Sequence, residues 1–466
     1  MFTYNCKIFS SPTKFFILNF FFWGVIFLFL IPPFQAPDEQ VHFPRVFELS
    51  CGKILLSKGE KVGGSNLPTS IQAFTSIRGD IPFHKEHKFD YKTLYHHLTT
   101  PINERETTFI TFSTQLYSPF QYLPQVLGVR VGKIFNISIC ILYYLGRLFS
   151  LCIIGVLLYL SIKYMPFNKW ALVMLCLSPM SLFLAVSHSS DPMIFACSFL
   201  LIAIVLRSMY DTSFRLSVSI TGLLLLCIAT LATSKFGSYF PILLIVLLMP
   251  TIVFSDKRVG YIFKLMLFAI GIALALFWNL KTKFIFDELS DSNAIFTNNI
   301  HMLCSYEYIQ LVLRTFIILA HRLYLSFFTL GWLDTPLPNI MCYCWGGLLI
   351  LLTVFSSSSI SAYIPLLTRI LFFFISLVIS IGIVTSMYLG CGTTGENVIN
   401  GIQGRYFFPI SMLVLLTFSN LFLITEHKVF QKIKYTIFDR WYVVQLFLIV
   451  FLMTTVYVVF QRYYVS

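Results

Sequence analysis

Phe15-Phe16-Ile17-Leu18-Asn19-Phe20-Phe21-Phe22-Trp23-Gly24-Val25-Ile26-Phe27-Leu28-Phe29-Leu30-Ile31 contains no charged residue. Coiled as a helix it approaches the thickness of a bilayer's hydrocarbon core, about 30 Å. Lys7 and Lys14 precede it with no acid between, and Pro32-Pro33-Phe34-Gln35-Ala36 follows without the small-x-small pattern that signal cleavage needs. The run therefore reads as a retained first helix with its N-terminus inside the cell. Ten further apolar runs repeat the pattern near 148–165, 170–187, 192–207, 216–233, 239–255, 260–280, 339–356, 369–387, 406–424 and 441–460. Across the 466 residues, 57% are apolar and 11% charged. A soluble domain averages about 45–50% and about 25%. A water-soluble enzyme, a disordered chain and a disulfide-stapled secreted domain are excluded. The expected fold is an all-α polytopic membrane protein of eleven transmembrane helices, forming one domain over 1–466.

Alternating the sides from an inside N-terminus tests this reading with information that hydropathy does not use. The inside stretches are the N-terminal tail and those near 163–169, 207–215, 256–264, 357–369 and 425–440, where Lys428, Lys432, Lys434 and Arg440 cluster. They hold 14 Lys+Arg against 4 Asp+Glu, while the outside holds 19 against 16. Most of the outside basic residues lie in long loops, which translocate regardless of charge, and the short outer loops carry only Lys235 and Arg405. The +13 net charge is thus a topology signal spread over short loops, and no single basic face for nucleic acid emerges. Two long outer loops stand out. The first, 34–136, closes with the Pro-bracketed amphipathic stretch from Tyr117 to Lys133, expected to lie along the lipid surface. The second, 281–338, contains the apolar stretch 309–332, which Arg314, His321 and Arg322 interrupt. Charges at bilayer depth are costly, so this stretch is expected to be interfacial.

The unusual polar residues fall almost entirely on the outer side. Pro37-Asp38-Glu39-Gln40-Val41-His42-Phe43-Pro44-Arg45 follows the first helix directly, placing two adjacent carboxylates beside the lipid headgroups. A carboxylate there suits general-base removal of a proton from a hydroxyl. Pro-Asp-Glu also fits a helix start, with Asp38 as its cap. Ser187-His188-Ser189-Ser190-Asp191-Pro192 offers a second candidate, with His188 suited to a sugar or phosphate and Asp191 equally suited to capping. Thr233-Ser234-Lys235-Phe236-Gly237 places Lys235 where it either snorkels or meets a phosphate. In Gly331-Trp332-Leu333-Asp334-Thr335-Pro336, Trp332 suits an interface and Asp334 a turn. Arg405 and Tyr406 stand at the outer mouth of the 406–424 run, and Arg147 at the outer end of the 148–165 run. Together Arg147, Lys235 and Arg405 are expected to form a positive ring opposite Asp38 and Glu39, the arrangement that a lipid-phosphate donor and an acceptor hydroxyl require.

Metal and nucleotide chemistry find no motif. His84, His87, His96 and His97 share the first loop, but no acid or cysteine spacing completes a zinc site, and no cofactor is expected. Cys51, Cys304, Cys342, Cys344 and Cys391 form an outer pool of thiols whose pairing the sequence leaves open.

Read in order, Pro32-Pro33-Phe34-Gln35-x-Pro37-Asp38-Glu39-x-x-His42-Phe43-x-Arg45, Tyr122-x-Pro124-Gln125, Gly146-Arg147-Leu148, Asp191, Lys235, Gly331-Trp332-Leu333-Asp334-Thr335-Pro336 and Gly404-Arg405-Tyr406-Phe407-x-Pro409 resemble a bacterial family of membrane proteins. It is known as domain of unknown function 2142, and the likeness runs along almost the whole chain. That family in turn resembles the GT-C glycosyltransferases, membrane enzymes that use a sugar carried on a polyprenyl phosphate. The resemblance implies an inner-membrane glycosyltransferase with a periplasmic active site, moving a sugar, most simply a hexose, from its lipid carrier to a surface glycan such as lipid-linked O-antigen with inversion. It implies Asp38 or Glu39 as the base or as a metal ligand, with His42, Arg45, Arg147, His188, Asp191, Lys235, Asp334, Arg405 and Tyr406 as the candidate substrate-binding set. Membrane lipid and the proteins that make and flip the donor are the implied partners. A flippase for lipid-linked sugars, a glycan polymerase or ligase, and a structural assembly protein are the competing classes. Gln40 and Pro44 depart from a helix-friendly pattern, so Asp38–Arg45 is expected to be a broken turn.

Overall fold

The structure, a computed structural model, describes residues 11–55, 61–251, 257–291, 299–354, 364–391, 397–419 and 441–465. In chain order the helices are α1 (Pro12–Leu30), α2 (Glu39–Ser50), α3 (Thr69–Thr75), α4 (Lys92–Thr99), α5 (Leu123–Ile134), α6 (Ile139–Tyr164), α7 (Lys169–Cys176) and α8 (Pro179–Ala185). There follow α9 (Asp191–Tyr210), α10 (Val218–Ala232), α11 (Lys257–Asp291), α12 (Tyr306–Ser326), α13 (Asn339–Val354), α14 (Leu366–Cys391), α15 (Ser411–Thr417) and α16 (Trp441–Tyr464). Two small antiparallel ladders complete the chain. β1 (Gly64–Pro68) pairs with β2 (Thr107–Thr111), Gly64 opposite Thr111, and β3 (Thr329–Leu330) pairs with β4 (Thr335–Pro336), Thr329 opposite Pro336.

Helix α1 shows why hydropathy reads this chain so directly. Phe16, Phe20, Trp23 and Phe27 form one stripe and are buried, whereas Leu18, Phe22, Val25 and Phe29, at the same spacing on another face, are exposed. Both stripes are apolar, as expected of a helix with protein on one side and lipid on the other. The buried face packs on α6, α7, α8 and α16. Helix α9 lies at the centre, against α6 and α10, with almost every side chain buried.

Seven helices among the described residues are long and apolar enough to cross a membrane: α1, α6, α9, α11 from Lys257 to Ile285, α12, α14 up to Gly390, and α16. The chain is a mainly helical, polytopic membrane protein. Several spans expected from hydropathy take another form. The 170–187 run is two short helices, α7 and α8, because Pro179 has no N–H to continue the ladder and drives Ser178 into extended backbone, where its hydroxyl accepts from the Ser181 N–H. The 239–255 run is a 3₁₀ helix over Phe240–Leu248, bracketed by Pro241 and Pro250. Helix α6 starts at Ile139, ahead of the expected 148, with Ser138 accepting from the Ile141 N–H as its cap, which places Arg147 inside the helix. The stretch expected to be interfacial forms the 21-residue α12, long and apolar enough to cross. Its polar contacts all run to one neighbouring stretch or to the start of α13. Tyr308 meets Thr385, Thr315 accepts from the Ile399 N–H, Ser326 accepts from the Gly404 N–H, and Tyr324 donates to the Cys342 carbonyl. The basic clusters at Lys7 and at 428–440 lie outside the described residues.

The broken turn expected at Asp38–Arg45 is instead the continuous helix α2, which runs through Pro44. Proline forfeits one ladder bond there, and the buried flank of Phe43, Val46 and Phe47 keeps the helix in place. Helix α2 packs on α5, which in turn lies along α6, so these two helices of the long first loop sit against the bundle.

Candidate functional site

Asp38 stands just before α2 with φ of 62°, a left-handed conformation that a short polar residue tolerates. Its side chain makes no capping bond. The carboxylate turns to Arg405 instead, Oδ2 lying 3.1 Å from Nη2, with 46% of the Asp38 side chain exposed and 4% of the Arg405 side chain. Asp191 completes the arrangement. It begins α9 without capping it, and lies 2.5 Å from Lys235 Nζ and 3.7 Å from Arg405 Nε. Two carboxylates and two cations, drawn from four distant points of the chain, thus form one cluster. Burial alone would discharge Lys235, but the Asp191 carboxylate outweighs it and raises the Lys235 pKa.

The surroundings explain how the cluster is held. Gln121 Nε2 donates to the Thr233 carbonyl, fixing the loop before Lys235, and Gln125 Nε2 donates to the Ser187 and Ser189 carbonyls, fixing the loop before Asp191. Both glutamines sit at the Pro-bracketed entrance to α5, where the sequence pointed to a membrane-surface helix and not to site architecture. Tyr406 lies under the Lys235 ammonium at 4.7 Å and beside the Arg405 guanidinium at 5.4 Å, and its carbonyl accepts from Tyr239 Oη. Tyr117, Lys235, Tyr239, Tyr406 and Ser386 line a cleft of about 90 Å³ opening beside the cluster. Arg405 Nη1 is buried and makes no hydrogen bond, and Nε makes none beyond its 3.7 Å ion-pair contact with Asp191. Such donors are costly to leave empty.

His42 lies among these charges, its Nδ1 2.6 Å from Tyr122 Oη. Burial pushes its pKa down to about 4, against the pull of Asp38 and Asp191, so the ring is neutral at pH 7. Burial likewise raises the pKa values of Tyr117 and Tyr122.

Other expected site residues are placed elsewhere. Glu39 and Arg147 are both fully buried and form a forked pair, with Nε to Oε1 at 3.0 Å and Nη2 to Oε2 at 2.6 Å. Arg147 also donates to the Ile31 and Pro32 carbonyls, and Glu39 accepts from the His188 N–H at 2.9 Å. Burial raises the Glu39 pKa, but Arg147 and His188 prevail and hold it below the usual carboxylate range. This knot fastens the end of α1 to α6 and α9, and with its valences filled it leaves the expected ring without Arg147 and the base pair without Glu39. His188 is fully buried, its Nε2 3.0 Å from the Tyr143 carbonyl and its ring against Gly146, where any Cβ would collide with it. Arg45 is buried on Glu48 at 2.6 Å and on the Ile54 and Tyr117 carbonyls. Asp334 pairs with Arg462 at 2.7 Å and accepts from the Trp332 N–H, the Thr335 hydroxyl and the Phe83 N–H, which makes it the keystone of the β3–β4 hairpin. Among the described residues no group of three or more His, Cys, Asp or Glu is placed to hold a metal ion. Cys51, Cys304, Cys342 and Cys344 are free thiols.

Fold and site together define a helical, multi-pass membrane protein with a charged cluster between the segment that follows its first helix and its bundle. Residues 21–414 match the family of predicted membrane proteins DUF2142, and the chain belongs to it. No curated protein and no solved structure matches the chain.

Proposed function

We propose that the chain is an inverting membrane glycosyltransferase of GT-C type in a bacterial inner membrane, working on the periplasmic face with a polyprenyl-phosphate sugar as donor and a surface glycan as acceptor. The observation that carries this reading is the asymmetry of the cluster. Asp38 is half exposed, while the Arg405 beside it is buried with Nη1 unfilled and Nε met only by the 3.7 Å contact to Asp191. Arriving donor phosphate takes those donors and the Lys235 ammonium, and Arg405 exchanges the Asp38 carboxylate for the phosphate. Asp38 is thereby released as a base just when the sugar is in place. It removes the proton of the acceptor hydroxyl, whose oxygen attacks the anomeric carbon from the side opposite the phosphate. The carbon–oxygen bond to phosphate breaks, and the polyprenyl phosphate leaves with the added negative charge, which Lys235 and Arg405 stabilise. Asp191 positions both cations, and neutral His42 with Tyr122 lines the approach.

An apolar groove of about 510 Å³ supports a lipid-borne donor. Phe316, Phe327 and Trp345 form its walls, and Gly404 and Phe407, immediately beside Arg405 and Tyr406, reach its upper end. Gly404 is required for this closeness, because a Cβ there would run into the α12 backbone at Leu323 and Phe327. In this reading α12 lies along the interface, both its ends meeting the 385–404 stretch, and eleven other segments carry the chain across, with α7–α8 as one broken crossing.

The test is mass spectrometry of the released surface polysaccharide with and without the gene. Loss of one hexose per repeat, restored by the wild type and not by Asp38→Asn, is expected. Restoration by Asp38→Asn overturns the assignment of the base. An unchanged repeat with lost chain length or surface display overturns the transferase reading in favour of a polymerase or flippase.

A further inference from the structure

A second cavity, of about 410 Å³, is lined in part by the segment that leads to Arg405. It lies between the end of α12, the β3–β4 hairpin and residues 399–403. Gln403 and Arg405 are two apart across the start of a 3₁₀ helix, with Gln403 itself still in extended backbone. Arg405 reaches Asp38, while Gln403 lines the cavity. The segment is thus a shared wall between the two sites.

The chemistry of the cavity is specific. Arg322 lines it and makes no hydrogen bond or ion pair among the described residues. No acidic residue is among its described lining. Gln403 Oε1 is buried with no donor. A free guanidinium calls for an anion, whereas an orphaned amide oxygen calls for a hydroxyl or N–H, so neither a bare anion nor a neutral sugar satisfies both. Leu323, Leu333 and Ile402 supply an apolar floor. On the hairpin side, Trp332 adjoins the lining residue Leu333, and Phe83, 65% exposed, lies edge-on to Trp332 and is tied to the hairpin through Asp334. An exposed ring face attracts the weakly positive C–H face of a sugar. Trp332 Nε1 donates to the Phe34 carbonyl, joining this side to the segment that leads to Asp38.

We propose that this cavity binds an anionic saccharide, its carboxylate or phosphate on Arg322, a hydroxyl on Gln403 and its apolar face toward Phe83, and that it seats the acceptor for the cluster beyond the wall. The acceptor role rests on the glycosyltransferase reading, while the binding itself does not. The full chain in lipid nanodiscs is titrated with D-glucuronate, D-glucose and inorganic phosphate, with saturation-transfer NMR for the sugars and ³¹P line broadening for phosphate. Glucuronate is expected to bind more tightly than glucose or phosphate. Arg322→Gln and Gln403→Leu each weaken it by about tenfold, Arg322→Lys keeps part of the affinity, and Asp38→Asn leaves it unchanged. Wild-type affinity in both Arg322→Gln and Gln403→Leu, or equal binding of glucose and glucuronate, overturns the proposal. Phosphate binding as tightly as glucuronate with no effect of Gln403→Leu also overturns it, in favour of a plain anion site. If Asp38→Asn keeps both glucuronate binding and sugar transfer, the cavity stands and the reading of the catalytic base fails.

Discussion

Asp38 and Glu39 are neighbours in sequence and each meets an arginine, yet the two pairs are opposites. Glu39 and Arg147 are wholly buried, forked and saturated by backbone groups. Asp38 and Arg405 touch through a single 3.1 Å contact, with the acid half in solvent and the arginine keeping Nη1 unfilled and Nε only loosely met by Asp191. One pair has nothing left to offer a ligand. The other is held together loosely enough to be exchanged. A closed pair of charges is a structural fastening whose worth appears when one partner is removed, because the survivor is then stranded in low dielectric. An open pair costs little to break and leaves both partners ready for chemistry.

The largest separation of the two pairs is expected in activity. Asp38→Asn should reduce transfer by about 10²–10⁴-fold, the usual contribution of a general base, with the protein still inserted and unchanged in thermal unfolding. Glu39→Gln should do the reverse, lowering the amount of folded protein first. If Glu39→Gln folds normally and loses transfer while Asp38→Asn does not, the two roles are exchanged. Next, Arg405→Gln should reduce transfer by about 10²–10³-fold, as for loss of a donor to developing charge, and Arg405→Lys should recover only part because it cannot fork. An unaffected Arg405→Gln enzyme would separate the phosphate from this arginine.

Arg147→Met should destabilise the chain by about 3–5 kcal/mol, measured by thermal unfolding in detergent, and adding Glu39→Gln should recover part of that loss because the stranded carboxylate is gone. Strict additivity would show that the knot is not a pair. The smallest effect concerns pH. In the fold, burial depresses His42 and His188 from the ordinary 6.5 to about 4. Between those values the unfolded chain binds more protons than the folded one, so stability rises with pH there and is lost on acidification from about 6.5 toward about 4. Above that window neither ring contributes a slope. His42→Gln should lessen the slope of the melting temperature across it, leaving the share that His188 contributes, and an unchanged slope would place the titration elsewhere.

The bundle was largely legible because lipid imposes a local rule. A helix facing hydrocarbon must be apolar over its own length, so α1, α6, α9, α11, α14 and α16 are visible one at a time. The misreadings have local causes as well. Ser178-Pro179 and Pro241 interrupt the ladder inside runs that hydropathy averages over. The residues of the cluster were visible as polar outliers on one side. Their partnerships were not, since Asp38 and Arg405 are 367 residues apart and Asp191 and Lys235 are 44 apart. Gln121 and Gln125 carried no charge and therefore no signal of their role.

The sequence by itself determined that this chain lives in a membrane, roughly where it enters and leaves, and which polar residues stand at the ends of its apolar runs. Hydrophobic matching and charge bias act on each segment separately, so they can be read segment by segment. Only the tertiary structure decided which charges are fastenings and which are free. Successive residues at a helix start turn by about 100°, which sends Glu39 toward α6 and leaves Asp38 facing Arg405. Whether a carboxylate is sealed or open then depends on what the rest of the chain brings to meet it.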